Sequence, residues 1–188
     1  MTGIDAAVRT RARPVVAAAL AVSLALLSGC AEEQKPLAAS KVRPETCFGA
    51  FTPSDLSPLL GRGDEVTVDS PYDLELNAQR PGVTCNIYVD GKSGLLATAE
   101  RQPLGQGAYW PLEKVDAEPI PSVENGKVWN TGAAALLSCK GAPDSFELEL
   151  WLSGSVDGKK PGDSRPVLAE LMKKYADYAR QQTRCGSS

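Results

Sequence analysis

The chain has 188 residues, of which 20 are lysine or arginine, 23 are aspartate or glutamate and none is histidine. Without histidine, Ser-His and Cys-His catalysis and most catalytic zinc sites are excluded, because imidazole is the side chain whose pKa lies nearest neutrality. The net charge of -3 argues against a nucleic acid as partner, since nucleic-acid binding relies on a basic surface.

The first thirty residues have the organisation of an export signal. Three arginines between positions 9 and 13 precede an apolar run at 14–27. A run of about 14 residues falls short of the ~20 that a membrane-spanning helix needs, but it matches the core of a signal peptide. The LSGC motif that ends at Cys30 resembles the lipobox of bacterial lipoproteins. The resemblance implies cleavage after Gly29 and a diacylglycerol on the Cys30 thiol, which anchors the protein to the extracytoplasmic face of the cell membrane.

An ordinary secretory signal with a cysteine near its cleavage point is the alternative interpretation. We predict that residues 1–29 are the signal peptide; they contain three arginines and one aspartate, so the remaining chain has 17 basic and 22 acidic side chains. Residues 30–44 are polar and proline-bounded, with no helical or strand period, and predict a flexible tether. A single domain is expected over 45–185, because a chain of about 160 residues suits one hydrophobic core.

Four further cysteines are an even number in a chain directed to an oxidising compartment, which predicts two disulfides. A zinc site is the alternative, but the spacings between these cysteines lack the close pairs that zinc sites use. Four cysteines allow three connectivities, and their spacing leaves the choice open. They are Cys47, Cys85, Cys139 and Cys185.

A short helix is predicted to begin after Thr52, a residue type that caps helices. Pro53 then lies in the first turn, and Asp55 lies near the positive end of the helix dipole. Gly61 is expected to end the helix. Pro58 would disturb a longer helix, so two turns are expected.

From position 66 onward the apolar period changes to two, which is typical of half-buried strands. The Asp90-Gly91 pair predicts a tight hairpin turn between the second and third strands, and the last two strands predict a second hairpin. The five segments with this pattern are 66–68, 83–89, 95–100, 132–139 and 146–152.

The C-terminal segment predicts a long helix that Asp163 or Ser164 caps and that extends to Arg184. Its apolar residues recur at helical spacing on one face, and Cys185 continues a row on that face. This geometry favours a disulfide between Cys185 and Cys139, which occupies an inward strand position. The apolar residues are Leu168, Leu171, Met172, Tyr175 and Ala179.

Together these elements predict an α+β fold with two disulfides. The expected architecture is an antiparallel sheet of about five strands, with the short N-terminal helix and the long C-terminal helix packed on one face. Neither a calcium loop nor a phosphate-binding loop occurs in a suitable context, so neither a metal nor a cofactor is expected.

The segment 102–126 is the candidate binding region, because a long ordered stretch without regular structure usually binds something. Within it, Tyr109 and Trp110 are suited to stack on a wall sugar or to dock a protein. In the alternative interpretation Trp110 folds back over the core, and the segment only covers a sheet edge.

Four carboxylates lie close together in the sequence, and a glycosidase needs only two such groups. The alternative is that they form the solvated side of strand and turn residues, since nothing in the pattern selects two of them. The four are Glu65, Asp69, Asp73 and Glu75.

The mature domain resembles a family of small secreted lipoproteins of unknown function that is common in actinobacteria. The resemblance is carried by the Cys47-Phe48 start, the TPSDLSPLLG helix, the strand with Cys85 and the cysteine-terminated helix. Members often have one cysteine just ahead of the first helix and another in a central strand, which implies a disulfide between Cys47 and Cys85. The resemblance transfers no catalytic residue.

The sequence therefore favours a membrane-anchored extracytoplasmic lipoprotein that is not an enzyme. We expect it to serve as a binding, accessory or sensor module of the cell envelope. Its expected partners are the membrane, through the lipid on Cys30, and an envelope protein or wall glycan. A carboxylate-based hydrolase of wall glycan and a purely structural envelope protein are the alternatives.

Overall fold

The computed structural model describes residues 34–103, 116–139, 144–153 and 164–183. These residues form an α+β fold of seven strands, two α-helices and one 3-10 helix. The strands are β1 (Val66–Asp69), β2 (Gly82–Val89), β3 (Lys92–Pro103), β4 (Glu118–Pro119), β5 (Lys127–Trp129), β6 (Gly132–Ser138) and β7 (Asp144–Leu152). The helices are the 3-10 helix (Ala38–Lys41), α1 (Pro53–Leu60) and α2 (Arg165–Gln182).

The seven strands form one sheet in the order β1-β2-β3-β7-β6-β5-β4. Every neighbouring pair is antiparallel. The two halves of the sheet meet along β3 and β7, which pair from Leu95 opposite Leu152 to Pro103 opposite Asp144. The strands β1 and β4 are therefore the two edges of the sheet.

The predicted turn at Asp90-Gly91 joins β2 to β3. Both residues have positive φ angles, 50° for Asp90 and 73° for Gly91. Two successive left-handed residues are typical of a type I′ turn, whose twist matches that of the flanking strands. The Asp90 carboxylate also accepts hydrogen bonds from the backbone N–H groups of Asp64 and Glu65, at 2.8 and 2.9 Å. The turn is thereby joined to the start of β1.

An ion pair adds to this junction between the turn and β1. Lys35 Nζ lies 2.6 Å from Asp90 Oδ2 and 2.9 Å from Asp64 Oδ2. The hydrogen bond from Lys35 and, after it, the bond from the Glu65 backbone lower the pKa of Asp90 to about 2. Asp90 therefore stays ionised, and keeps its bonds to β1, well into the acidic range.

One face of the sheet packs into the hydrophobic core. In register, Cys85 lies opposite Ala97, Ala97 opposite Leu150, and Leu150 opposite Ala133, and all four are fully buried. Burying one leucine side chain contributes roughly 1.5–3 kcal/mol. Alternate residues of a strand lie on the same face of a sheet, so the apolar period of two correctly predicted which residues point into the core.

The opposite face of the sheet carries a pair of indole rings. Trp129 and Trp151 meet edge to face, with ring centroids 5.0 Å apart. Gly132 lies opposite both tryptophans in the strand ladder, and a Cβ on it would lie 2.5 Å from the Trp129 ring. A glycine is therefore required beside this pair.

The first helix, α1, begins and ends where the sequence predicted. The Asp55 carboxylate accepts hydrogen bonds from the backbone N–H and the hydroxyl of Thr52, at 2.7 and 2.6 Å, which pairs the N–H of the N-cap residue as in a capping box. The helix ends at Gly61, which has a positive φ of 66°. Pro58 lies inside the helix, which has the two turns that were expected.

The long helix α2 buries the apolar face that was predicted from its spacing, from Leu168 to Ala179. Ser164 is its N-cap residue, and Pro166 lies in the first turn. Its last residue is Gln182, so the helix ends two positions before the predicted Arg184. The helix contacts β5, β6 and β7.

Two features of the predicted architecture are wrong. The sheet has seven strands rather than about five, because the short strands β4 and β5 extend its far edge. The helices are also arranged differently: α1 contacts the 3-10 helix, β3 and α2, whereas α2 contacts β5, β6 and β7. The coarser prediction, an α+β fold with an antiparallel sheet and two α-helices, is correct.

The predicted tether at 30–44 extends too far along the chain. The compact unit begins at Lys35, and the 3-10 helix buries Ala38 and Ala39, which are 0% and 3% exposed. Leu37 also forms an isolated β-bridge with Arg62. These short apolar side chains pack beside α1, so the folded region starts about ten residues before the predicted boundary at 45.

The segment 102–126 is also more regular than predicted, at least over the part that the structure describes. Residues 101–103 end β3, and β4 lies at Glu118–Pro119. Ile120 and Val123 are buried in the core, at 3% and 7% exposure. The positions 104–115, which include Tyr109 and Trp110, lie outside the described residues.

Candidate binding cleft

A cleft of about 490 Å³ lies beside the edge strand β1. One wall is formed by residues between 41 and 49, ahead of α1, and the other by residues between 66 and 72. Ligand sites typically enclose roughly 300–1,000 Å³. The cleft therefore has the size of a binding site.

The first wall has an unusual backbone. The φ angles of Glu45, Cys47 and Phe48 are 59°, 53° and 64°, and Gly49 follows at 90°. A left-handed residue with a side chain costs about 1–2 kcal/mol, because its Cβ approaches the following carbonyl oxygen. Such residues persist only where surrounding contacts hold them, and they cluster at ligand-binding sites.

A disulfide is the first contact that holds this wall. Cys47 is bonded to Cys85 in the centre of β2, with 5.2 Å between their Cα atoms. Both residues are buried, at 1% and 0% exposure. The pairing is the one that the family resemblance implied. The bridge attaches the left-handed segment directly to the sheet.

Aromatic side chains are the second contact. The Phe48 ring stacks on Tyr175 with centroids 6.2 Å apart, and Phe51 meets Tyr175 edge to face at 5.4 Å. The Tyr178 hydroxyl donates a hydrogen bond to the Phe48 carbonyl oxygen. A Cβ on Gly49 would lie 3.1 Å from the same hydroxyl. Helix α2 thus holds the first wall through two tyrosines one turn apart.

The second wall is the edge strand β1, which pairs with β2 on one side and with no described strand on the other. Val66 and Val68 are half-buried and pack against the core, whereas Thr67 and Asp69 are exposed. At the end of the strand the Phe48 N–H donates to the Ser70 hydroxyl, at 3.2 Å. This bond joins the two walls and closes one end of the cleft.

The rim of the cleft carries charged and aromatic side chains. Lys41 Nζ donates to the Asp64 carbonyl oxygen, so its positive charge has no carboxylate partner among the described residues. Arg43 lines the cleft, and its guanidinium forms no hydrogen bond or ion pair within the described part of the chain. Tyr72 is 95% exposed, which is unusual for so large an apolar ring. Glu45 is the acidic residue of the lining.

The four carboxylates considered for glycoside hydrolysis do not form a buried pair. All four are exposed, and Asp73 lies in an ion pair with Arg80, at 3.2 Å. Glu75 accepts a weak hydrogen bond from Asn77, at 3.4 Å. Glu65 and Asp69 lie at opposite ends of β1. This arrangement agrees with the alternative interpretation, that the four are solvated strand and turn residues.

Several residues singled out from the sequence lie outside the described residues: Cys30, Tyr109, Trp110 and Cys185. Cys139 is disulfide-bonded. Because Cys47 and Cys85 are bonded to each other, the partner of Cys139 is a different cysteine. The pairing with Cys185 and the lipid on Cys30 stay predictions.

Two further properties concern the described residues alone. They contain no group of three or more Cys, Asp or Glu side chains placed to hold a metal ion. Neither α1 nor α2 combines the length and the apolar character that crossing a membrane requires.

The fold and the cleft define a disulfide-bonded α+β domain with a ligand-sized cleft at a sheet edge. Comparisons with protein-family models, with curated proteins and with solved structures found no match to this chain. Its function must therefore be inferred from the cleft and the sequence signals.

Proposed function

We propose that the protein is an extracytoplasmic lipoprotein, anchored by lipid on Cys30, whose domain binds a component of the cell envelope without catalysis. It would act there as a binding, accessory or sensor module. The observation that carries the proposal is the cleft of about 490 Å³ beside β1.

Three properties of the cleft support binding. Its first wall keeps a strained backbone that a disulfide and two tyrosines hold in place. A wall that is rigid before binding loses little conformational entropy when a ligand arrives. The exposed ring of Tyr72 and the unpaired guanidinium of Arg43 offer contacts that no described residue uses. Exposed aromatic and arginine side chains are frequent anchors at binding surfaces.

The anchor can be tested by lipid labelling. Cells that produce the Cys30→Ser variant should incorporate no radiolabelled palmitate into this protein, because serine has no thiol for the thioether. The protein should then be recovered outside the membrane fraction. A Ser28→Ala variant is the matched control, since a small residue is kept next to the cleavage site, and it should stay labelled. Labelling of the Cys30→Ser variant at the wild-type level would contradict the anchor.

The cleft can be tested in cells with a photoreactive phenylalanine at position 72, which replaces one exposed aromatic ring with another. We expect a discrete cross-linked adduct from this position. The same group at Lys92, exposed at the start of β3, should give none. Adding Arg43→Glu should abolish the adduct. Identical adducts from both positions, or none from position 72, would count against binding in the cleft.

A further inference from the structure

We propose that the cleft receives an extended peptide segment, which joins the sheet as an additional strand beside β1. The inference rests on the proposed binding function and names the chemical class of the ligand. It is carried by the direction in which the backbone of β1 presents its hydrogen-bonding groups.

The strand register determines this direction. The Asp90 N–H donates to the Glu65 carbonyl oxygen, at 2.9 Å, so these residues form a hydrogen-bonded pair. In an antiparallel ladder, hydrogen-bonded and non-hydrogen-bonded pairs alternate. With Val66 opposite Val89, the next hydrogen-bonded pairs are Thr67 with Tyr88 and Asp69 with Asn86.

It follows that Val66 and Val68 point their N–H and C=O groups away from β2, towards the free edge. Both residues line the cleft. No further backbone or side-chain hydrogen bond to either residue occurs within the described part of the chain. Four backbone groups, two donors and two acceptors, therefore face the cleft in the spacing that an added strand requires.

The opposite wall lies beside a free strand edge. A free edge normally invites uncontrolled pairing, and proteins blunt or cover it. Here residues between 41 and 49 line the same cleft as Val66, Thr67 and Val68 of β1, and this cleft is the slot beside the strand. An extended segment in this slot would place alternate side chains on the same face as Val66 and Val68, next to the core.

Charge complementarity indicates which peptide fits. The lining has two cations, Lys41 and Arg43, and one anion, Glu45. Lys41 bonds only to a carbonyl oxygen, and Arg43 has no partner within the described residues. An acidic side chain near one end of the peptide would pair with them, as carboxylates pair with a guanidinium fork. We therefore assign the cleft to an extended segment that carries an acidic residue.

The experiment uses the full chain in detergent micelles and synthetic seven-residue peptides that alternate valine and threonine. One peptide ends in glutamate and one in lysine. A third is the glutamate peptide methylated on two adjacent backbone nitrogens, which blocks pairing along both of its edges. Hydrogen exchange is followed at the amides of Val66 and Val68, and affinities are measured by calorimetry.

The glutamate peptide should slow exchange at both amides by at least about tenfold, and methylation should abolish the effect. The lysine peptide should bind about tenfold more weakly, because it meets two cations.

Val68→Pro removes one outward N–H and should weaken binding about tenfold. Proline is tolerated on an edge strand where its nitrogen faces away from the ladder. Val68→Thr keeps the N–H, so it should recover most of the affinity that Val68→Pro loses.

Binding that survives methylation, or that leaves exchange at Val66 and Val68 unchanged, would overturn the proposal. If no peptide binds at millimolar concentration but an adduct still forms at position 72 in cells, strand addition is wrong while the binding function stands. A wall-glycan fragment that competes for that adduct would assign the cleft to a sugar. If neither peptides nor adducts are found, both proposals fail. The methylated peptide acts on the unaltered protein, so the result holds even if Val68→Pro does not fold.

Discussion

Replacing Cys47 and Cys85 together by alanine should lower the free energy of unfolding by about 4 kcal/mol. The bridge spans a sequence separation of 38 residues, and a loop of that length restricts the unfolded chain by about this much. The loss is a large share of the roughly 5–15 kcal/mol by which a typical domain is stable. The first wall of the cleft should be affected most, because the bridge attaches its left-handed residues to the sheet.

Urea unfolding, followed by tryptophan fluorescence, measures the loss. Hydrogen exchange should also quicken at residues 45–51 before the rest of the domain opens. The matched control removes the other cysteines of the domain, as Cys139→Ala with Cys185→Ala. That variant is expected to be less stable but to leave exchange at 45–51 unchanged relative to global unfolding. A loss below about 1 kcal/mol for the Cys47 and Cys85 pair would show that the bridge contributes little.

The strands and helices that could be predicted are those whose apolar residues recur with a clear period in the sequence. Apolar residues occupy every second position of 83–89 and 146–152, so both the type and the inward face of these strands could be predicted. The strand at Glu118–Pro119 has two residues and that at Lys127–Trp129 has three, which is too short for any period to appear. They form because β5 pairs with β6 and β4 pairs with β5, and these tertiary contacts leave no local pattern in the sequence. The order of the sheet, with β7 between β3 and β6, likewise depends on distant pairing.

The misplaced tether has a similar cause. Residues 31–44 show no apolar period, and alanine is compatible with both a linker and a core. Ala38 and Ala39 are buried because the 3-10 helix packs against α1, and no local pattern announces that contact. Small side chains can enter a core without any hydrophobic signal in the sequence.

The cleft itself was missed for a physical reason. Cys47 and Phe48 have left-handed φ angles in a segment that the disulfide and α2 contact, and neither residue type favours that conformation. The sequence pattern favoured Tyr109 and Trp110 instead, which lie outside the described residues. The available signal was Cys47, since a disulfide cysteine directly ahead of a helix marks a tightly held segment. Tyr72, next to a proline, had no distinguishing pattern.

The position of the cleft connects the fold to the proposed ligand. The type I′ turn and the Lys35 ion pair hold β1 at its start, and the bond between Phe48 and Ser70 holds it at its end. An edge strand fixed at both ends keeps its outward backbone groups in register. A peptide would then add to a preformed template, without the entropic cost of ordering the strand.

The two tyrosines of α2 that support the first wall should respond oppositely to loss of their hydroxyl groups. Tyr175 is fully buried, and its hydroxyl has no hydrogen-bond partner among the described residues. Burial raises the pKa of this hydroxyl well above its usual value. An unpaired polar group in a core costs roughly 1–3 kcal/mol, so Tyr175→Phe should be neutral or stabilising. Tyr178→Phe should instead cost about 1 kcal/mol, because it loses the bond to the Phe48 carbonyl oxygen.

Removing the Tyr175 ring should have a far larger effect. Tyr175→Ala deletes the ring that contacts both Phe48 and Phe51, and truncation of a buried aromatic typically costs 3–5 kcal/mol, so we expect about that loss. Chemical denaturation of the three variants gives the comparison, with Tyr175→Phe as the control that keeps the ring. Exchange at residues 45–51 should rise in Tyr175→Ala and stay at the wild-type level in Tyr175→Phe. Equal destabilisation by alanine and phenylalanine would mean that the hydroxyl, and not the ring, supports the cleft wall.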